Sequence, residues 1–249
     1  MSAARPPNAR QGSIASAAIR QTWPMASEDT VVELVRACSV VERANGSIMA
    51  VGERPSRVAL ILSGTIVSTW SAPDGRIVYV GLFGPGQLLG VTTLTGGAIV
   101  SGIDALTTVT MLAWPSREFR AIVNSYPALA LDLLDRCVYA IQLVNHLVQL
   151  RTFTTAASRL AGLLLQYEEF VFSTDAPLVA RGQLSALAGV TPQMVSRILR
   201  RWEASGILRR VAPSGLELLD RNALAAEAAP LDAFPAPDGT SPGSSPPER

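Results

Sequence analysis

The stretch "RGQLSALAGVTPQMVSRILRRWEASGILRR", residues 181–210, holds two short helical patterns separated at Gly189. In the first, Arg181 to Ala188, Leu184 and Leu187 fall on one side. Gly189 allows the tightly turned or left-handed backbone that ends it. Thr191 can cap a second helix through its hydroxyl. Pro192 suits that helix's first position, where the amide hydrogen it lacks has no intrahelical partner. Val195, Ile198, Leu199 and Trp202 recur at helical spacing as the buried side, leaving Gln193, Ser196, Arg197, Arg200 and Arg201 on or near the exposed one. Helix, glycine turn, capped helix is the helix-turn-helix arrangement, whose second helix enters a major groove.

The segment that follows, "GILRRVAPSGLELLD" (residues 206–220), predicts a two-stranded wing: Ile207–Val211 and Leu216–Leu219 flank a turn with Pro213 and Gly215. Net charge is only +1, yet between Ala176 and Arg221 seven arginines face Glu203, Glu217 and Asp220. Positive charge is thus concentrated on this segment. Gln193 can bond bidentately to adenine and Arg197 to guanine O6 and N7. Arg181, Ser196, Arg200, Arg201, Arg209 and Arg210 would mainly touch phosphates, setting position and salt dependence. The alternative is a small helical domain with solvated arginines.

Upstream, from Gly46 to Trp114, short β-prone runs alternate with glycine turns, and Asp74-Gly75 is a hairpin signal. This spacing indicates a small barrel or roll, not a parallel α/β sheet, so the fold class is α+β. A helix is expected from about Ser27 to Cys38, with Ser27 or Asp29 able to cap it, a second one capped by Ser116 runs to Ser125, and a long one runs from Pro127 to about Thr152. The long helix is apolar around most of its circumference and needs cover on more than one side. Leu129, Leu133, Ala140, Val144 and Leu147 are the face expected to meet a second subunit; burial inside a monomer is the other possibility.

Residues 1–25 and 223–249 are rich in Ala, Pro and Ser and are expected to be a disordered arm and tail. Between them lie a β-roll domain (26–126), a dimerisation helix (127–152) and a winged helix-turn-helix (153–222). All 21 basic residues are arginine. Cys38 and Cys137 are the only cysteines and His146 the only histidine, too few for a zinc or iron–sulfur cluster, so no cofactor is expected. No apolar run approaches the ~20 residues that span a bilayer, and a cytoplasmic protein is expected. No nucleophile–base arrangement stands out, which leaves an enzyme as the weakest functional class.

With its companion pieces "LILSGTIV", "GPGQLLG" and "ASRLAGLLL", the opening stretch resembles the cyclic-AMP receptor and fumarate–nitrate regulator (Crp/Fnr) family over about residues 28–221. The resemblance implies an effector-sensing β-roll, a long dimer helix and a C-terminal winged helix-turn-helix in a dimeric transcription regulator. Its partners would be double-stranded DNA with a near-palindromic site and, for an activator, RNA polymerase. It places Pro192, Gln193 and Arg197 at the base-reading positions. Pro192 and Gln193 replace the arginine and glutamate of the cyclic-AMP type, which implies a different operator.

In the roll, the resemblance puts the effector pocket at Gly90, Val91, Ile99, Val100 and Ser101, with Asn145 contributed by the long helix; for Asn145 an interhelical hydrogen bond is the alternative. Val91 stands where nucleotide-binding relatives carry a ribose-binding glutamate, and Ile99-Val100 where they carry arginine and serine. A buried phosphate without a cationic partner is strongly disfavoured. Backbone amides near Gly96 and Gly97 could form an anion nest; an apolar pocket or a filled roll are the other readings. The first 37 residues contain no cysteine, unlike the oxygen-sensing type. His146 reads as a packing or dimer-contact residue, with haem ligation as the alternative, and Cys137 as a small buried hydrophobe, with a redox switch as the alternative. A ligand- or cyclic-nucleotide-sensing protein-interaction module without DNA binding is the second functional class.

Overall fold

The computed structural model describes residues 9–75, 77–172, 181–211 and 215–228. They fall into two compact units, residues up to 66 with 83–140, and residues 67–82 with those from 141 onward.

The N-terminal half of the chain forms a β-roll, of which residues 67–82 are grouped with the second unit. Strands β1 (Ser39–Arg43), β2 (Gly46–Met49), β3 (Arg57–Ser63), β4 (Ile66–Ser71), β5 (Ile77–Phe83), β6 (Leu88–Leu89), β7 (Gly102–Ala105) and β8 (Val109–Pro115) form two four-stranded sheets, ordered β1-β8-β3-β6 and β2-β7-β4-β5. The pleat sends alternate residues of β3 and β8 to opposite faces. Val58, Leu60, Leu112 and Trp114 enter one core, while Ile61, Met111 and Ala113 enter another with Ile66, Leu89, Ile99 and Ile103. Gly90 permits a close approach at the end of β6: its φ is +73°, and a Cβ there would stand 2.4 Å from the Arg57 carbonyl oxygen.

Helices close the first of these cores. The Ser27 hydroxyl accepts from the Thr30 amide and starts α2 (Glu28–Ala37), so of the two caps the sequence offers it is Ser27 and not Asp29 that serves. α3 (Ser116–Ser125) has the expected span, but Ser116 lies within its first turn after Pro115 and makes no side-chain cap. The expected disordered arm is corrected more substantially, because residues 9–22 form helix α1 (Ala9–Thr22). Ala15, Ile19 and Trp23, spaced by four, are buried in the same core as Leu34, Trp114 and Phe119. The Trp23 ring meets Trp114 edge-on at 6.2 Å, and the Trp114 indole N–H donates to the Leu34 carbonyl at 2.7 Å. Burial of these side chains offsets the ordering cost that composition alone suggested would prevail.

The long helix α4 spans Pro127–Phe153. Its face assignment also needs correction, because Leu129 and Leu133 are only 3% and 6% exposed and belong to their own chain's core. Ala140 and Val144 are exposed; the Leu147 side chain lies outside what is described. Leu131, Leu134, Val138, Ile141 and Val148, 45–64% exposed, form with exposed Asn145 one stripe at alternating three- and four-residue spacing. Cys137 is exposed too, contrary to the buried role expected of it, whereas burial raises the Cys38 thiol to about 11. His146 is half-buried on α4, and burial lowers its pKa from the ordinary value.

In the second unit, α5 (Ala156–Gln166) starts at Thr155, whose hydroxyl accepts from the Ser158 amide, and α6 (Glu168–Val171) follows. Then come α7 (Arg181–Ala188), α8 (Pro192–Ala204), the antiparallel pair β9 (Leu208–Val211) and β10 (Gly215–Leu218), and α9 (Arg221–Glu227). The expected tail therefore begins too early at 223: the Asp220 carboxylate accepts from the Ala223 amide at 2.9 Å, and Leu224 is buried. Expectations for residues 1–8 and 229–249 lie outside the described residues.

Candidate nucleic-acid interface

Local signals build α8 as its sequence predicts. Gly189 stands at φ +63° after α7, and the Thr191 hydroxyl accepts from the Met194 amide at 3.3 Å with Pro192 in the first turn. Val195, Ile198, Leu199 and Trp202 are buried, as are Leu184 and Leu187 on α7. Turning this apolar side inward fixes the opposite side outward.

Pro192, Gln193, Arg197 and Arg200 are exposed. Gln193, Arg197 and Arg200 follow one another at spacings of four and three, so they line one stripe along α8. Among the described residues, neither Gln193 nor Arg197 has a hydrogen-bond or ion-pair partner. Arg200 donates through Nε to the Ser196 carbonyl at 3.2 Å and meets no carboxylate among them. The Ser196 hydroxyl donates back to the Pro192 carbonyl at 2.9 Å, a helix-internal bond that occupies its proton.

Arg201, Arg209 and Arg210 have acidic partners that the sequence reading counted as charge but did not place. Arg201 pairs with Glu227 of α9, Arg210 with Glu203 of α8 at 3.4 Å, and Arg209 with Glu217 across the wing at 2.5 Å. Arg209 and Glu217 are directly opposed in the β9–β10 register. That opposition could be read from the symmetry of "LRRV" and "GLEL" about the turn; the Glu227 pairing could not, because it depends on where α9 packs. The Arg181 side chain lies outside what is described.

The proposed effector positions do not share one environment. Ile99 is 8% exposed within the apolar core, whereas Val100 beside it is 77% exposed. Val91 is half-buried at the start of a 3-10 turn over Val91–Thr95, capped by Gly90. Ser101 is partly buried, and Asn145 is exposed on α4. The Gly96 and Gly97 amides donate at 3.1 Å to the carbonyls of Thr93 and Thr92, so this turn uses its own N–H groups and presents no anion nest there. No group of three or more His, Cys, Asp or Glu suited to a metal occurs among the described residues. No described helix is long and apolar enough to cross a membrane.

Two family profiles match the chain, a Crp-like helix-turn-helix domain over residues 158–227 and a cyclic nucleotide-binding domain over residues 42–126. No curated protein matches it. Among solved structures, it is similar to FixK2 from Bradyrhizobium japonicum, with TM-score 0.69 and 19% identity over 77% of this chain and 98% of that one. A CooA mutant from Carboxydothermus hydrogenoformans gives TM-score 0.64 and 21% identity over 82% and 93% of the two chains. The c-di-GMP-responsive global regulator CLP from Xanthomonas campestris gives 0.63 and 14% over 77% and 99%. At these identities the likeness is one of fold.

Proposed function

The chain belongs to the Crp/Fnr family of DNA-binding transcription regulators, and from that premise we propose that it acts as a homodimer reading a near-palindromic duplex site with Gln193 and Arg197. The observation that carries the reading is the state of α8. Its apolar side is anchored by Val195, Ile198, Leu199 and Trp202, while Gln193 and Arg197 stand exposed without partners among the described residues. An amide and a guanidinium one turn apart suit adenine and guanine edges in a major groove. The family consists of regulators, not enzymes.

The dimer reading rests on α4. An exposed stripe of Leu131, Leu134, Val138, Ile141, Asn145 and Val148 follows the spacing that seats residues between two parallel helices, and an asparagine within such a seam fixes register. Two copies joined there would present two reading helices to half-sites about 34 Å apart. Footprinting of the purified protein on the DNA upstream of its own gene tests the reading. Two protected half-sites one helical turn apart, lost in Arg197→Ala, are expected; no protection, or protection unchanged in that variant, would defeat it.

Control by cyclic AMP in the usual manner is not part of this proposal. The position where a phosphate-binding arginine would be expected is Ile99, an apolar side chain in the core, and a phosphate buried against it would lack a counter-charge. Any effector acts by favouring the binding-competent arrangement of the dimer, and the setting proposed is the cytoplasm. Calorimetric titration with cyclic AMP should give no saturable heat at submillimolar concentration; a saturable isotherm would reverse this point.

A further inference from the structure

Every arginine of the helix-turn-helix and wing that was expected to grip phosphate away from the reading stripe, and whose side chain is described, sits against a carboxylate. The Arg209 guanidinium directs both Nε, at 3.0 Å, and Nη2, at 2.5 Å, to one oxygen of Glu217. Arg210 reaches Glu203 at 3.4 Å, and Arg201 reaches Glu227. Arg197 and Arg200 have no carboxylate within ion-pair distance among the described residues. The uncompensated charge of α8 and the wing therefore lies on the same stripe as Gln193.

We propose that Glu203, Glu217 and Glu227 are specificity-determining residues, which hold the flanking arginines in ion pairs and so suppress sequence-independent attachment to duplex DNA. The inference rests on the DNA-binding reading and adds a regulation of that surface. A guanidinium already neutralised by a carboxylate releases fewer counterions when it meets a phosphate, and the displaced carboxylate then repels the backbone. Binding to random sequence depends almost wholly on that electrostatic contribution, whereas binding to the correct site also draws on base contacts. Neutralising the flanks thus leaves discrimination to the stripe that reads bases. The pairs are partly exposed at the surface, where such interactions contribute little to stability, so they can be removed without unfolding the domain.

The test compares the full chain with Glu203→Gln/Glu217→Gln/Glu227→Gln on a random-sequence duplex and on the footprinted site, between about 50 and about 200 mM salt. Glutamine keeps side-chain size and removes the charge. The triple variant should bind random duplex about 3- to 10-fold more tightly for each freed guanidinium, with a log–log salt slope steeper by about 0.9 for each. Its ratio of specific to random affinity should fall. Unchanged random-duplex affinity and slope, with wild-type binding still dependent on Arg197, would overturn the masking role and leave the DNA reading intact. Failure of both proteins to bind any duplex would overturn both. If circular dichroism shows the triple variant unfolded, Glu217→Gln alone decides, since its one cross-strand pair should still yield a single steeper contact; an unchanged slope in that variant would count against the proposal.

Discussion

The Arg136 guanidinium on α4 donates to the carbonyl oxygen of Thr22 at 2.6 Å, tying the end of α1 to a helix 114 positions away in sequence. The same side chain pairs with Asp132 at 2.6 Å, reaches the Gly86 carbonyl at 3.3 Å and lies 6.0 Å from the centre of the Trp23 ring. Its side chain is only 15% exposed, so this is a largely desolvated set of charge-assisted bonds. Arg136→Ala should lower stability by about 2–3 kcal/mol in urea unfolding. Arg136→Lys should recover only part of that, because an ammonium cannot reproduce the planar fork.

The two sides of α4 should respond differently to substitution. Leu134→Lys/Ile141→Lys alters the exposed stripe and should yield a folded monomer by sedimentation, with reduced affinity for a two-half-site duplex. Leu133→Ala opens a cavity in the chain's own core and should cost about 2–4 kcal/mol in unfolding. An unaltered association state in the first variant would count against the stripe as the dimer seam.

Gln193→Ala and Arg197→Ala remove exposed side chains that support no described contact, so unfolding midpoints should barely move. Under the proposed base-reading roles, competition binding should instead show loss of about 1–3 kcal/mol of discrimination at one base pair for each variant.

Gly90→Ala places a Cβ against the Arg57 carbonyl oxygen at a left-handed φ. The strand end cannot yield without disturbing β3, and a loss of about 2–4 kcal/mol is expected in thermal or urea unfolding.

Burial lowers the pKa of His146 in the folded chain below its ordinary 6.5. Near and below that value the unfolded chain binds the proton more readily, so this contribution is present above pH 6.5 and is lost as pH falls through the folded pKa. Urea midpoints should therefore fall more between neutral and mildly acidic pH in wild type than in His146→Gln. Parallel pH profiles would exclude the histidine as the source.

Features governed by neighbours three or four positions apart were legible without coordinates. Thr191 caps α8, Pro192 occupies its first turn, Gly189 turns the backbone, and Ser27 starts α2, each through contacts within a few residues. The β-roll was legible for a related reason, since short strands and glycine turns leave few other ways to bury alternate side chains.

Long-range partners were not legible. The spacing of Ala15, Ile19 and Trp23 acquires meaning only when Trp114 and Phe119 supply a surface to bury them, and so the N-terminal segment read as disordered. On α4 almost every direction is apolar, so periodicity could not tell Leu129 and Leu133, turned into the core, from Leu134 and Ile141, turned outward. The amino-acid order alone determined that α8 would form and which side of it would be apolar, because caps and helical period act locally. Only the tertiary arrangement decided which arginines keep uncompensated charge, since an ion pair such as Arg201 with Glu227 requires two distant segments to be brought together by a shared core.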